Sequence, residues 1–127
     1  MFDSRTASSA ALAYLGDAVL ELLVRERLLQ MGHTSSKALN QHALDYVRAG
    51  AQARAMERIL PLLSEEENAA FRRGRNAGHG QHPKGASVGE YRNATGMEAL
   101  FGYLHMMGDH ARIAQLFAHA FPAEENT

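Results

Sequence analysis

Two carboxylates stand out because each interrupts a stretch of apolar, helix-forming residues. Asp17 lies within ALAYLGDAVLELL, and Glu98 lies within ATGMEALFGYLH. An ionised carboxylate among apolar neighbours is costly unless a positive charge compensates it. If the two segments come together, their like charges need a proton or a cation between them. A hard divalent ion such as Mg²⁺, held by carboxylates and water molecules, suits that arrangement.

Glycines next to the two acids favour such an approach. Gly16, Gly96 and Gly102 each cost about 1 kcal/mol inside a helix, and a glycine kept there indicates close contact between backbones. The residues alone leave a second interpretation open, because acids generally prefer solvent. In that interpretation each carboxylate pairs with an arginine or simply faces water.

Glu21, one turn beyond Asp17, is a third acid that could join or orient the same site. It also lies four residues before Arg25, the spacing at which opposite charges pair along a helix. We favour the pairing with Arg25.

The charge distribution changes what the net charge implies. Thirteen basic and fourteen acidic residues give a net charge of −1, which by itself argues against a nucleic-acid partner. Residues 71–92, however, contain five basic residues and one acidic residue, whereas both flanking segments are acidic. Arginine dominates this basic segment, and its planar fork suits phosphate oxygens. The five basic residues are Arg72, Arg73, Arg75, Lys84 and Arg92.

Several classes of protein are disfavoured. The absence of cysteine removes disulfides, thiolate nucleophiles and cysteine-ligated zinc. No apolar run reaches the roughly 18 residues of a membrane span, and the first residues do not resemble a signal peptide. We therefore expect a cytoplasmic protein without a membrane partner. There is no glycine-rich nucleotide fingerprint, and His79 and His82 have no further ligands in their loop to complete a metal motif.

The elements that must position these residues are predicted to be helices. A chain of 127 residues fits one domain over 1–127, and six Val and Ile residues in an Ala- and Leu-rich composition favour an all-α fold of six to seven helices. The first helix is expected from Ser8 or Ser9 to about residue 30, before Gly32. The next is expected from Ser35 or Ser36, with Gly50 as a break between two helices.

Two capping-box patterns mark later helix starts. Ser64 with Glu67 opens a helix that should end near residue 77, and Ser87 with Glu90 opens the helix that carries Glu98. Between them, residues 78–87 form a glycine-rich loop of about ten residues, a length that is often functional. The last helix is expected to follow Gly108 and Asp109.

These motifs together resemble the ribonuclease III family. YLGDAVLEL (residues 14–22) resembles the signature helix of its catalytic domains, and ATGMEALFGYLH (residues 94–105) its second acidic helix. RRGRNA (residues 72–77) and DYVRAGAQA (residues 45–53) are similar to the short Mini-III branch. The resemblance covers most of the chain.

The resemblance implies an all-α endoribonuclease, a homodimer that cuts double-stranded RNA with Mg²⁺ and lacks a separate RNA-binding domain. Asp17 matches the catalytic aspartate and Glu98 the metal-binding glutamate. Full-length ribonuclease III has two further acids, at the positions of Ala13 and Thr95 here; we do not interpret their absence as inactivation. Membership would also imply maturation of large-subunit (23S) ribosomal RNA.

We expect the basic segment and the loop 78–87 to grip the RNA in place of the missing domain. The expected RNA-binding residues are Arg72, Arg73, Arg75, Asn76, Lys84 and Arg92. Two other hypotheses remain open at this point. The same fold and basic segment could form a non-catalytic RNA-binding module, or the chain could be a helical dimerisation domain whose acids only make salt bridges.

Overall fold

A computed structural model describes residues 2–3, 6–77 and 86–123 of the chain. Within these residues the fold is entirely helical, as predicted, with no strand. None of its helices is long and apolar enough to cross a membrane. The helices are α1 (Ser9–Gln30), α2 (Ser36–Val47), α3 (Ala49–Ile59), α4 (Glu65–Ala77), α5 (Val88–Met106) and α6 (His110–Ala120), with a 3₁₀ turn at Leu60–Leu62.

Helix α5 is the centre of the fold. It packs against α1, α3, α4 and α6, and eight of its residues are buried. A helix that is apolar on most of its faces is buried on most of them, which is what its sequence indicates. The core around it contains Leu20, Val24 and Leu28 of α1, Met56 and Ile59 of α3, Phe71 of α4, and Ile113, Leu116 and Phe117 of α6.

The predicted helix ends agree well with the structure. The Ser8 side chain caps α1, and both capping boxes form, with Ser64 and Ser87 each exchanging two hydrogen bonds with the glutamate three residues later. Gly32 and Gly108 follow α1 and α5 with φ of 95° and 73°, a conformation that a side chain disfavours. The predicted loop 78–87 is described only at residues 86 and 87.

One helix break lies elsewhere than expected. The chain leaves the helical conformation at Arg48, with φ −65° and ψ 145°, and Gly50 is inside α3. A Cβ on Gly50 would come within 3.0 Å of the Glu90 carboxylate. Gly50 therefore lies where α3 packs beside Glu90, two residues after the break.

A buried ion pair fixes α6 against the start of α4. Arg112 donates to the Glu67 carboxylate at 2.8 and 2.9 Å and to the Leu62 carbonyl at 2.7 Å. The hydrogen bond from Arg112 is the largest influence on Glu67 and holds its pKa below the usual value. Glu67 thus caps α4 and anchors α6 at once.

Candidate active site

A crossing of α1 and α5 at glycines brings the two candidate acids together. A Cβ on Gly16 would overlap the backbone carbonyl of Glu98, and one on Gly102 would overlap the carbonyl of Leu12. Only glycine permits this separation, because any larger residue would push the two backbones apart. The close approach of two helices that these glycines predicted is therefore present. Gly16 makes this contact with another helix of the same chain.

Two further glycines, Gly74 and Gly96, allow α4 to pack closely against α5. A Cβ on Gly74 would stand 2.5 Å from the Ala99 Cβ, and one on Gly96 would stand 2.7 Å from the Phe71 ring. The carboxyl-terminal end of α4, which carries the RRGRN sequence, is therefore held next to the part of α5 that carries Glu98.

Asp17 and Glu98 line the same cavity, close enough for Asp17 to act on the Glu98 carboxylate through its charge and a hydrogen bond. Asp17 is exposed, whereas Glu98 is half-buried. Burial, then the charge of Asp17 and the hydrogen bond with it, raise the pKa of Glu98 to about 8. At neutral pH Glu98 therefore keeps its proton unless a cation compensates its charge.

The two acids border a cavity of about 430 Å³ between α1, α4 and α5. Its walls are largely small or apolar, and the charged groups among the described residues that line it are the two carboxylates. The lining residues are Ser9, Ala10, Ala13, Tyr14 and Asp17 of α1, Gly74 and Ala77 of α4, and Tyr91, Thr95 and Glu98 of α5.

The donor set fits a hard divalent cation held mainly by water. The two carboxylates offer oxygen ligands, and the cavity has room for a hydrated ion. No group of three or more His, Asp or Glu side chains that could hold a metal occurs in the described part of the chain. Ala13 and Thr95 line the cavity where further acids would stand, and the Thr95 hydroxyl donates to the Tyr91 carbonyl at 3.0 Å.

Glu21 is not part of this site. Its carboxylate lies 3.7 Å from the Arg25 guanidinium, the pairing that we favoured, and both side chains are exposed. Glu21 does not border the cavity.

The predicted RNA-binding residues that the structure describes divide into two kinds. Arg72, Arg73, Asn76 and Arg92 are exposed, with Arg72, Arg73 and Asn76 near the end of α4 that borders the cavity. Arg75 is half-buried, and its guanidinium carbon lies 5.6 Å from the centre of the Phe71 ring. One arginine of the predicted group thus supports the packing of α4. Lys84, His79 and His82 lie outside the described residues.

The cavity is also bordered by two tyrosines that were not among the residues predicted from the sequence. Tyr14 lies one turn before Asp17 and is 86% exposed, and Tyr91 lies about two turns before Glu98. The sequence could have indicated both tyrosines, because each lies on the same helix face as its acid. This pattern did not stand out, because both helices are apolar on most faces.

Comparisons with known proteins show the family and the fold. The sequence model of the Ribonuclease III domain matches residues 10–109. A Mini-ribonuclease 3 of Symbiobacterium thermophilum is 49% identical over 110 residues, covering 86% of this chain and 84% of that protein. A Mini-ribonuclease 3 of Desulfitobacterium hafniense is 46% identical over 121 residues, covering 94% and 76%. The crystal structure of a Fusobacterium nucleatum protein superposes with a TM-score of 0.87 at 29% identity, covering 97% of this chain and all of that one.

Proposed function

The chain belongs to the ribonuclease III family and is an endoribonuclease, and we propose that it cuts double-stranded RNA with Mg²⁺ bound by Asp17 and Glu98. The observation that supports this most is the contact between the two carboxylates at the edge of an open cavity. The exposed basic end of α4 lies beside the same cavity. A charged cavity and a basic surface are what the hydrolysis of a polyanion requires.

The two acids have different parts in this proposal. Both line the cavity, but Asp17 is exposed to solvent, whereas Glu98 is half-buried at the crossing of α1 and α5. The bound ion supplies polarisation of the scissile phosphate and a lower pKa for the attacking water. Asp17 and Glu98 would hold the ion, and Glu98 would have to release its proton to do so, because its pKa is raised to about 8.

The surface beside the cavity holds the RNA. A-form RNA is recognised through its phosphates and 2′-hydroxyls rather than through base edges. Arg72, Arg73 and Arg92 are exposed cations that can contact phosphate, and Asn76 can donate to it. Lys84, which lies outside the described residues, stays in the proposed set as a prediction from the sequence. Arg75 acts mainly through the position that it gives to α4.

A homodimer is part of the proposal, since one site per protomer gives one cut per strand. The outward face of α1 supports it, because Tyr14, Leu22 and Leu29 are 86%, 60% and 57% exposed. Large apolar side chains on one helix face favour contact with another protein surface. Sedimentation equilibrium should give twice the mass of one chain. The mass of a monomer at every concentration would contradict the homodimer.

The proposed biological substrate is a precursor of large-subunit 23S ribosomal RNA, which would place the enzyme in the cytoplasm. The resemblance to the Mini-III branch supports this substrate. It is tested by following the precursor in cells that lack the protein, where unprocessed ends should accumulate. A precursor that matures normally would contradict it.

The reaction itself is tested with a plain RNA duplex in Mg²⁺ or in EDTA, with a DNA duplex of the same sequence as control. We expect cleavage of RNA only, and only with Mg²⁺. Tight binding of the RNA duplex without cleavage would indicate a non-catalytic RNA-binding module instead. The absence of both binding and cleavage would indicate a helical interaction domain.

A further inference from the structure

A second cleft lies beside the active-site cavity, on the other side of the start of α5. Its volume is about 950 Å³, and it lies between the end of α2, the first turns of α3 and the start of α5. Its charged lining residues are Asp45, Arg48, Arg54 and Glu90. The cleft has no part in the site described above.

The two arginines of this cleft have free guanidinium groups. Arg48 and Arg54 are both exposed, and neither makes an ion pair or hydrogen bond with any residue that the structure describes. Other arginines of the chain are used internally. Arg27 donates to the Phe121 carbonyl, Arg58 to the Ala120 carbonyl at 2.6 Å, and Arg112 to Glu67 at 2.8 Å.

The cleft and the acid pair share the first turns of α5. Glu90 borders the cleft, whereas its neighbour Tyr91 borders the acid cavity. Eight residues separate Glu90 from Glu98, which is about 12 Å along a helix. Arg92 is a further exposed cation on the same turns of α5. Because this distance is short, an RNA duplex bound at the acid pair can extend to the cleft.

We propose that this cleft is a further contact for the RNA substrate, in which Arg48 and Arg54 bind phosphates of the backbone. The inference rests on the proposed function and adds two residues to its RNA-binding surface. The planar guanidinium fork binds phosphate oxygens in pairs. The carboxylates of Asp45 and Glu90 are acceptors of the kind to which a 2′-hydroxyl donates, so the mixed charge fits a ribose-phosphate backbone.

The test measures affinity for an RNA duplex as a function of salt. Asp17→Asn is used as the parent, in EDTA, so that binding is observed without cleavage. Arg48→Gln and Arg54→Gln are added singly and together, and Lys37→Gln is the control. Lys37 is an exposed cation on α2 without a partner in the described chain, and it does not line the cleft. Thermal unfolding of each variant verifies folding.

Each arginine substitution should lower the slope of log affinity against log salt by about 1 and weaken binding about tenfold at 0.1 M salt. Lys37→Gln should leave the slope unchanged. An unchanged slope in the double variant, or an equal loss from Lys37→Gln, would overturn the inference while the proposed function stands. A parent that binds no RNA would overturn the proposed function and this inference with it.

Discussion

Replacing Glu98 with glutamine should stabilise the metal-free protein at alkaline pH. Glutamine keeps the size of the side chain and cannot ionise. In the folded protein the pKa of Glu98 is raised from 4.5 to about 8, first by burial and then by Asp17. Between these pH values the folded state binds a proton that the unfolded chain has released. The free energy of unfolding therefore falls as pH rises from 4.5 to about 8, and stays lowered above it.

The size of the effect follows from the same shift. One pKa unit corresponds to about 1.36 kcal/mol, so the full shift sets an upper limit on the order of 5 kcal/mol. Partial exposure of Glu98 and solvent screening reduce this to about 1–3 kcal/mol. For a chain of this size, each kcal/mol moves the unfolding temperature by about 3–6 °C.

Thermal unfolding followed by circular dichroism in EDTA, at pH 5 and pH 8.5, measures this directly. Glu98→Gln should unfold at a higher temperature than wild type at pH 8.5, and the difference should shrink towards pH 5. Glu21→Gln is the matched control, because Glu21 is an exposed carboxylate with only Arg25 at 3.7 Å. It should follow wild type at both pH values. Mg²⁺ should stabilise wild type at pH 8.5 more than Glu98→Gln.

Some outcomes would refute this reasoning. A difference between Glu98→Gln and wild type that is the same at pH 5 and pH 8.5 would show that the carboxylate is not strained by its surroundings. Destabilisation of Glu98→Gln at pH 8.5 would show that the ionised group is favoured in the fold. Either result would remove the physical reason for a cation at this position.

Three further expectations concern other parts of the molecule. Gly16→Ala should lower the free energy of unfolding by about 1–3 kcal/mol in denaturant unfolding, because α1 and α5 must move apart. An unchanged midpoint would contradict the close crossing of these helices. Arg112→Ala should lower the free energy of unfolding by about 2–4 kcal/mol, measured by the same denaturant unfolding. In wild type the lowered pKa of Glu67 gives stability that is present above pH 4.5 and lost as pH falls through the folded-state pKa; Arg112→Ala should show less of this acid loss. Arg72→Gln should lower the salt slope of RNA binding by about 1 without changing the unfolding temperature, whereas Arg75→Gln should lower the unfolding temperature; identical behaviour of the two would contradict their different exposures.

Local chemistry was enough to predict much of the fold. The two capping boxes at Ser64 and Ser87, and the glycines after α1 and α5, each act within a few residues, so the sequence indicates them directly. The approach of Asp17 and Glu98 was also predictable, because a glycine inside an apolar helix has few purposes other than close packing. The break at Arg48 was not predicted, because Gly50 offered a stronger local signal two residues later, and Gly50 lies inside α3.

The remaining features depend on which residues become neighbours in space. Arg48 and Arg54 lie in a segment that is acidic overall, so counting charge along the chain concealed them. Arg75 differs from Arg72 and Arg73 only in facing Phe71, which depends on the rotation of α4 against α5. The raised pKa of Glu98 required both its burial and the position of Asp17.

The central claim, that Asp17 and Glu98 form the catalytic metal site, is tested most directly by single-turnover cleavage of a plain RNA duplex in Mg²⁺. Asp17→Asn and Glu98→Gln should each lower the rate at least a hundredfold, since a metal ion contributes several kcal/mol to such a reaction. Glu21→Gln should remain within about twofold of wild type. Cleavage at the wild-type rate by either Asp17→Asn or Glu98→Gln would contradict the assignment.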